Sequence, residues 1–304
     1  MTKSDNLSDN FSSLSFSVKG SRLPSWLYNP ETKCVLGKTK GGWFKLLLFY
    51  AFFYFTLILF WAGMMSVFIY FILPVDQPMR SGTHSLLSLN PGLGIRPQVD
   101  HENVFIRFSP NDPQSYFPYK QSMDTFLDQY YYLSSKKNNE RLAVCEDGVK
   151  TPDDVEKICP YPVTKLGECN TEDFGYSKKT PCVIIKMNKI YGWLPKLEIE
   201  TIGHTLVTCN GANPLDKENI GEVAYFPAKQ ADVNGESKNF GYFDSAYYPY
   251  LGQTSYIAPV VAVQFKSLKP NVIVHIQCQI SNIINAGINS EIRFEIAMDD
   301  YLKK

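Results

Sequence analysis

Residues 46–73 read LLLFYAFFYFTLILFWAGMMSVFIYFIL. No charge and no proline interrupts this run, which lasts about 28 residues where roughly 20 suffice for a helix to cross a bilayer. That length argues against a buried core helix. A cleaved signal peptide fits no better: the run is too long, starts far from Met1, and no small-residue cleavage site follows it. The sequence predicts one uncleaved signal-anchor helix, with the lipid bilayer as its first partner.

Flanking charge predicts its orientation. Lys33, Lys38, Lys40 and Lys45 precede the run, whereas Asp76 and Arg80 follow it, with nothing basic again until Arg96. The positive-inside rule then puts the N-terminus in the cytosol, and Trp43 and Phe44 suit an aromatic interface belt. Cysteine usage agrees independently. Of seven cysteines, Cys34 precedes the span, and Cys145, Cys159, Cys169, Cys182, Cys209 and Cys278 follow it. An even set in an exported domain reads as disulfides, with 15 possible pairings that spacing does not resolve. No C-x-x-C pair is present and the four histidines are scattered, so no zinc or other metal site is expected. The segment beyond the span has no N-x-[S/T] acceptor; the two in the chain, at Asn6 and Asn10, lie on the cytosolic side.

Composition divides the rest. The tail, residues 1–42, is rich in Ser, Asn and Asp over its first 30 or so residues and reads as disordered. Residues 43–73 form the membrane segment. Residues 74–100 hold several prolines and glycines and read as an extended stalk. Residues 101–304 form the exported domain. There Val104, Ile106 and Phe108 alternate as a strand, and Tyr119, Met123, Phe126, Leu127 and Tyr130 follow helical spacing. Ser115 is the expected N-cap, with Pro118 in the first turn. Residues 182–191 read as a buried strand. In NVIVHIQCQI, Val272, Val274, Ile276, Cys278 and Ile280 share one face; EIRFEIAM repeats the scheme through Ile292, Phe294, Ile296 and Met298. These signals predict a β-sandwich with an attached helix.

No catalytic pattern emerges. The chain has no G-x-S-x-G, H-E-x-x-H or Walker A motif, and "GLG" at 92–94 lacks a third glycine. Asp153–Asp154 and Asp299–Asp300 read as solvated pairs, and His275 as a structural histidine. The expectation is a protein that is not an enzyme and takes no cofactor. A formal net charge of +0 gives no footprint for nucleic acid. Within the membrane run, Tyr50 and Tyr54 share a helix face, and Ala62 and Ser66 form a small-xxx-small pair; both fit packing against another protein's helix.

Five stretches carry a resemblance: LGKTKGGWFKLLLFYAFFY (36–54), SPNDPQSY (109–116), TPCVIIKMNKIYGW (180–193), GEVAYF (221–226) and YYPYLGQTSYIAPVVAVQF (247–265). With the six cysteines, they resemble the beta subunits of the sodium/potassium-transporting P-type ATPase and the related proton/potassium pump. The resemblance implies disulfides Cys145–Cys159, Cys169–Cys182 and Cys209–Cys278. It implies a type II plasma-membrane protein with an immunoglobulin-like ectodomain that is non-catalytic and binds a catalytic alpha subunit. Such a subunit serves the alpha subunit's folding, membrane delivery and potassium affinity. Tyr50 and Tyr54 would face an alpha-subunit helix, and Tyr247, Tyr248, Pro249 and Tyr250 an extracellular alpha-subunit loop. Pro259 to Phe265 reads as a core strand. The family pattern carries a tyrosine and a lysine where this chain has Leu251 and Gln253. The alternative functions are a cell-surface adhesion or junction protein with a pump-independent role, or the beta subunit of a proton/potassium pump.

Overall fold

The computed structural model describes residues 28–29, 34–74, 77–81, 91–100, 104–135, 143, 145, 157–233, 236–285 and 290–300. Most of the expected tail, much of the expected stalk and Asp153–Asp154 lie outside the described residues. The chain divides into two compact units, Met1–Leu73 and Pro74–Lys304.

In the first unit, short strands β1 (Tyr28–Asn29) and β2 (Cys34–Val35) pair antiparallel. A tight turn follows. Leu36 and Gly37 both have positive φ, and Val35 and Lys38 exchange backbone hydrogen bonds of 3.0 and 3.1 Å. Positive φ at both central residues is the requirement of a type I′ turn, and Gly37 meets it without a side-chain clash. Helix α1 (Lys40–Val67) starts at once, its Thr39 Oγ1 accepting from the Gly42 N–H at 3.4 Å. The Trp43 indole N–H reaches back to the Val35 carbonyl at 2.8 Å and ties the turn to the helix. The last turn widens to a π-helix over Phe68–Ile72, where the Leu73 N–H donates to the Phe68 carbonyl. Lys40–Ile72 is the one helix among the described residues that is long and apolar enough to cross a membrane. Its 33 residues span about 50 Å at 1.5 Å per residue. None of its side chains is buried.

The second unit is mainly β. One antiparallel sheet has four strands in the order β3 (Leu93–Arg96), β5 (Cys182–Met187), β10 (Val260–Phe265), β7 (Val223–Phe226). The other has six, in the order β4 (Phe105–Phe108), β12 (Glu291–Met298), β11 (Ile273–Ser281), β6 (His204–Gly211), β9 (Glu236–Asp244), β8 (Ala228–Val233). Only the β4–β12 pairing is parallel. Alternation decides which faces turn inward: on β11 Val274, Ile276, Cys278 and Ile280 are buried, while His275 faces out. Every residue of β10 is buried, as a central strand covered on both faces requires. Gly241 marks a close approach of the two sheets. A Cβ there would lie 2.5 Å from Val261 Cγ1 and 2.8 Å from Val207 Cγ1.

Helix α2 (Pro113–Ser135) packs Tyr116, Met123, Leu127, Tyr130 and Leu133 into the core. It starts before Ser115, contrary to expectation. Asp112 Oδ1 accepts from the Gln114 N–H at 3.2 Å, and Pro113 takes the first position, where its missing N–H costs nothing. The Ser115 hydroxyl instead bonds Ser109, accepting from its N–H at 2.9 Å. Pro118 therefore lies inside the helix, where it cannot supply the usual bond to the Gln114 carbonyl. The buried strand expected over 182–191 ends at Met187. Short helix α3 (Pro214–Ile220) is capped by Asn213, whose side chain accepts from the Asp216 N–H at 2.8 Å.

Three disulfides staple this unit: Cys145–Cys159, Cys169–Cys182 and Cys209–Cys278, with sequence separations of 14, 13 and 69. Cys209 and Cys278 sit directly opposite each other on β6 and β11. The expected sandwich with one attached helix and three disulfides is the observed architecture.

Candidate functional site

The aromatic knot begins where β9 ends. Asp244 Oδ1 accepts from the Ala246 N–H at 3.0 Å and caps a 3₁₀ turn over Ser245–Tyr247. The turn swings the next two tyrosines inward, and both join the main core. Tyr247 is 3% exposed. Its ring lies 5.9 Å from that of Tyr161 and its hydroxyl donates to the Pro160 carbonyl at 3.2 Å. Its own carbonyl accepts from the Tyr256 hydroxyl at 2.9 Å. Cys159 Sγ lies 3.2 Å from the Ala246 carbonyl oxygen, so a disulfide abuts the turn.

Tyr248 packs edge-on against Trp193, with ring centroids 5.6 Å apart. Neither the Tyr248 hydroxyl nor the Trp193 indole N–H has a hydrogen-bond partner among the described residues. The Tyr248–Pro249 peptide is cis. After it the chain turns outward, and Pro249, Tyr250 and Leu251 are half-buried. The Tyr250 ring lies 4.9 Å from Tyr256 and 6.3 Å from Tyr191, and its carbonyl accepts from the Gly192 N–H at 2.8 Å. Gly192 has φ +68°, a left-handed conformation that glycine tolerates. Gln253 closes the loop: its Oε1 accepts from the Leu251 N–H at 2.9 Å and its Nε2 donates to the Pro249 carbonyl at 3.4 Å.

A second row of tyrosines backs the knot. The Tyr130 hydroxyl donates to the Ala258 carbonyl and that of Tyr161 to the Val260 carbonyl, both at 2.9 Å. Burial drives the phenol pKa values of Tyr130, Tyr161, Tyr247, Tyr248 and Tyr256 upward. At Tyr247 the Asp244 charge adds to burial. These phenols stay protonated well past neutral pH and act as hydrogen-bond donors and packing groups, not as general bases.

Tyr247 and Tyr248 therefore turn into their own domain, while Pro249 and Tyr250 form its rim. On α1, Tyr50 and Tyr54 are exposed and stack on one face at 6.1 Å. The structure brings Tyr191, Trp193 and Tyr256 to the knot, which sequence reading did not assign there. Their signal was present in KIYGW and in TSYIAP, but only as aromatics beside a glycine and a proline. Other polar pairs lie elsewhere in the domain. Asp299 pairs with Arg107 at 2.7 Å and Asp300 with Lys179 at 2.5 Å. His275 Nδ1 lies 3.2 Å from Asp216 Oδ2.

Comparison with known proteins matches residues 15–296 to the family model described as the sodium/potassium ATPase beta chain. A Drosophila melanogaster sodium/potassium-transporting ATPase subunit beta-1 is 29% identical over 315 residues, covering 93% of this chain and 94% of that protein. Subunit beta-2 of Mus musculus is 30% identical over 280 residues, 88% of each chain. A probable subunit beta-3 of Caenorhabditis briggsae is 28% identical over 272 residues, 84% of this chain and 78% of its own length. The family match runs through the membrane-length helix and the disulfide-stapled sandwich together, and the chain belongs to the sodium/potassium ATPase beta chain family.

Proposed function

We propose that this chain is the non-catalytic beta subunit of a sodium/potassium-transporting P-type pump. It sits in the plasma membrane with residues 1–42 cytosolic, 43–73 spanning and 74–304 outside, where the stretch expected as a stalk over 74–100 already enters the sandwich as β3. It binds the catalytic alpha subunit, supports its folding and delivery, and tunes its potassium affinity. The observation that carries this reading is the family match across both the helix and the ectodomain.

The knot divides the work between two layers. Tyr247 and Tyr248 set its shape from within; Pro249 and Tyr250, with Leu251 beside them, present the contact surface to an extracellular alpha-subunit loop. Tyr50 and Tyr54 offer a flat aromatic face to an alpha-subunit helix, where a hydroxyl in hydrocarbon gains from a partner. Transport is tuned only if these contacts differ in strength between pump conformations.

Co-expression with a sodium/potassium-pump alpha subunit, in cells lacking endogenous beta subunit, tests the reading. Wild type should carry the alpha subunit to the cell surface, and Tyr250→Ala should reduce that delivery while its disulfides stay intact on a non-reducing gel. Arrival of this chain at the surface with no alpha subunit bound would sink the proposal and favour an adhesion role.

A further inference from the structure

A cluster of cations lies beside the knot with no carboxylate paired to it among the described residues. Arg96 on β3 and Lys186 on β5 both rest against the ring of Phe126 on α2. The guanidinium carbon is 5.5 Å and the ammonium nitrogen 5.6 Å from the ring centroid. Strand register places Gly94 opposite Lys186, and a Cβ at 94 would sit 3.1 Å from Lys186 Cε. The bare backbone there is what lets the lysine lie down toward Phe126. Lys189 follows β5. Its ammonium is 5.7 Å from the Tyr250 centroid and 5.3 Å from that of Tyr256, and it donates to the Tyr256 carbonyl at 3.2 Å.

Among the described residues no carboxylate pairs with any of these three cations. Arg96 is held instead by the Ile95 carbonyl and Gln98 Oε1, both at 2.8 Å. Burial, followed by repulsion from Arg96 and Lys189, lowers the Lys186 pKa, and burial lowers that of Lys189. An ordinary surface lysine would swing into water. Lys186 is half-buried and Lys189 more exposed, yet both are held against aromatic faces, and Lys186 is close enough to Arg96 and Lys189 to be repelled by them. Ring faces compensate part of the lost hydration, but incoming anions would relieve the repulsion of Lys186 by Arg96 and Lys189.

We infer that Arg96, Lys186 and Lys189 form a receiving shelf for carboxylate side chains on an extracellular segment of the partner pump subunit. The inference rests on the proposed function. Its link to that surface is Lys189, which shares the Tyr250 ring with the exposed rim of the knot. The chain's formal net charge is +0, so general attraction of anions is not the cause; the charge is local. Complementary charge sets the register between two subunits, and the shelf would offer it beside the Tyr250 rim.

The test uses full-length chain co-expressed with a sodium/potassium-pump alpha subunit, solubilised and captured through this chain over a series of salt concentrations. Retained alpha subunit should fall as salt rises. Lys186→Met/Lys189→Met should lower retention at low salt by about tenfold, the order expected when interface charge partners are removed, and should flatten the salt dependence. Lys186→Arg/Lys189→Arg should restore both. If wild type retains no alpha subunit at any salt, the pump-subunit reading itself fails. If wild type retains it and the Met variant matches in level and slope, the shelf is overturned while that reading stands. Should the Met variant lose its disulfides, the wild-type salt series decides alone, since a salt-independent complex refutes the shelf. A loss seen only with anionic phospholipid added would identify a headgroup as ligand and also refute it.

Discussion

Two tyrosine pairs in this chain have opposite surroundings. Tyr50 and Tyr54 stack on a helix none of whose side chains is buried. Tyr247 and Tyr248 sit in the main core of a sandwich, ringed by Tyr161, Trp193 and Tyr256. The first pair must find its surroundings in lipid or in another protein. The second receives them from its own domain. A tyrosine-rich stretch is thus not one kind of feature. It can mark surface offered to a partner, or the scaffold that shapes such a surface, and only burial tells the two apart.

High pH should separate the regions most strongly. Tyr130, Tyr247 and Tyr256 have phenol pKa values raised above the ordinary 10.0, with burial the chief cause. A raised folded-state pKa means the folded form keeps its proton longer than the unfolded chain. The stability this contributes is whole below about pH 10 and drains away above it. Alkali should therefore unfold the ectodomain cooperatively. The buried phenols should titrate only with that transition, read as phenolate absorbance alongside near-ultraviolet dichroism. Phenolate appearing before unfolding would show the knot to be open to water.

Opening the Cys209–Cys278 link should have the next largest effect. It spans 69 residues of sequence against 14 and 13 for the others. Chain entropy puts its contribution at about 4.4 kcal/mol and theirs at about 3. Cys209→Ala/Cys278→Ala should thus lose more thermal stability than Cys169→Ala/Cys182→Ala, and equal losses would show that loop length does not govern here.

A crossed pair of truncations probes the contrast directly. Tyr247→Ala should destabilise the ectodomain by about 3 kcal/mol or more, as emptied aromatic core sites do. Tyr54→Ala should leave ectodomain unfolding unchanged and weaken only capture of the alpha subunit. Unchanged thermal unfolding in Tyr247→Ala would count against its burial. The smallest effect is expected at Tyr248. Its hydroxyl is buried and unpaired among the described residues, so Tyr248→Phe should change stability by no more than about 0.5 kcal/mol, or raise it slightly. Tyr247→Phe loses a real bond to the Pro160 carbonyl and should cost about 1 kcal/mol. A Tyr248→Phe loss as large as that would reveal a partner for the hydroxyl.

Much of the fold was legible because it is written in short-range periods. Alternation on β11 and β12 placed Val274, Ile276, Cys278, Phe294 and Ile296 inside, and they are inside. Helical spacing likewise found Met123, Leu127 and Tyr130. The helix start was misread because Asp112 and Ser115 are both good caps, and the choice turned on Ser109, whose backbone engages the Ser115 hydroxyl. Strand β5 stopped early because the chain leaves the sheet after Met187 and reaches Tyr191, which bridges to Tyr250. Neither outcome is encoded within a window of a few residues.

The sequence by itself determined that a helix long enough for a bilayer precedes a disulfide-bonded β domain. Transfer of an uncharged run and the two-residue repeat of a strand are local properties, fixed by composition and order. Tertiary structure decided which tyrosines of the knot are core and which are rim, and that Arg96, Lys186 and Lys189 meet. The Tyr247 hydroxyl finds its acceptor 87 residues away; Arg96 and Lys186 come together through the β3–β5 pairing and the ring of Phe126 on α2, while Lys189 is held by the rings of Tyr250 and Tyr256. Burial and charge proximity arise between segments, and no single segment carries them.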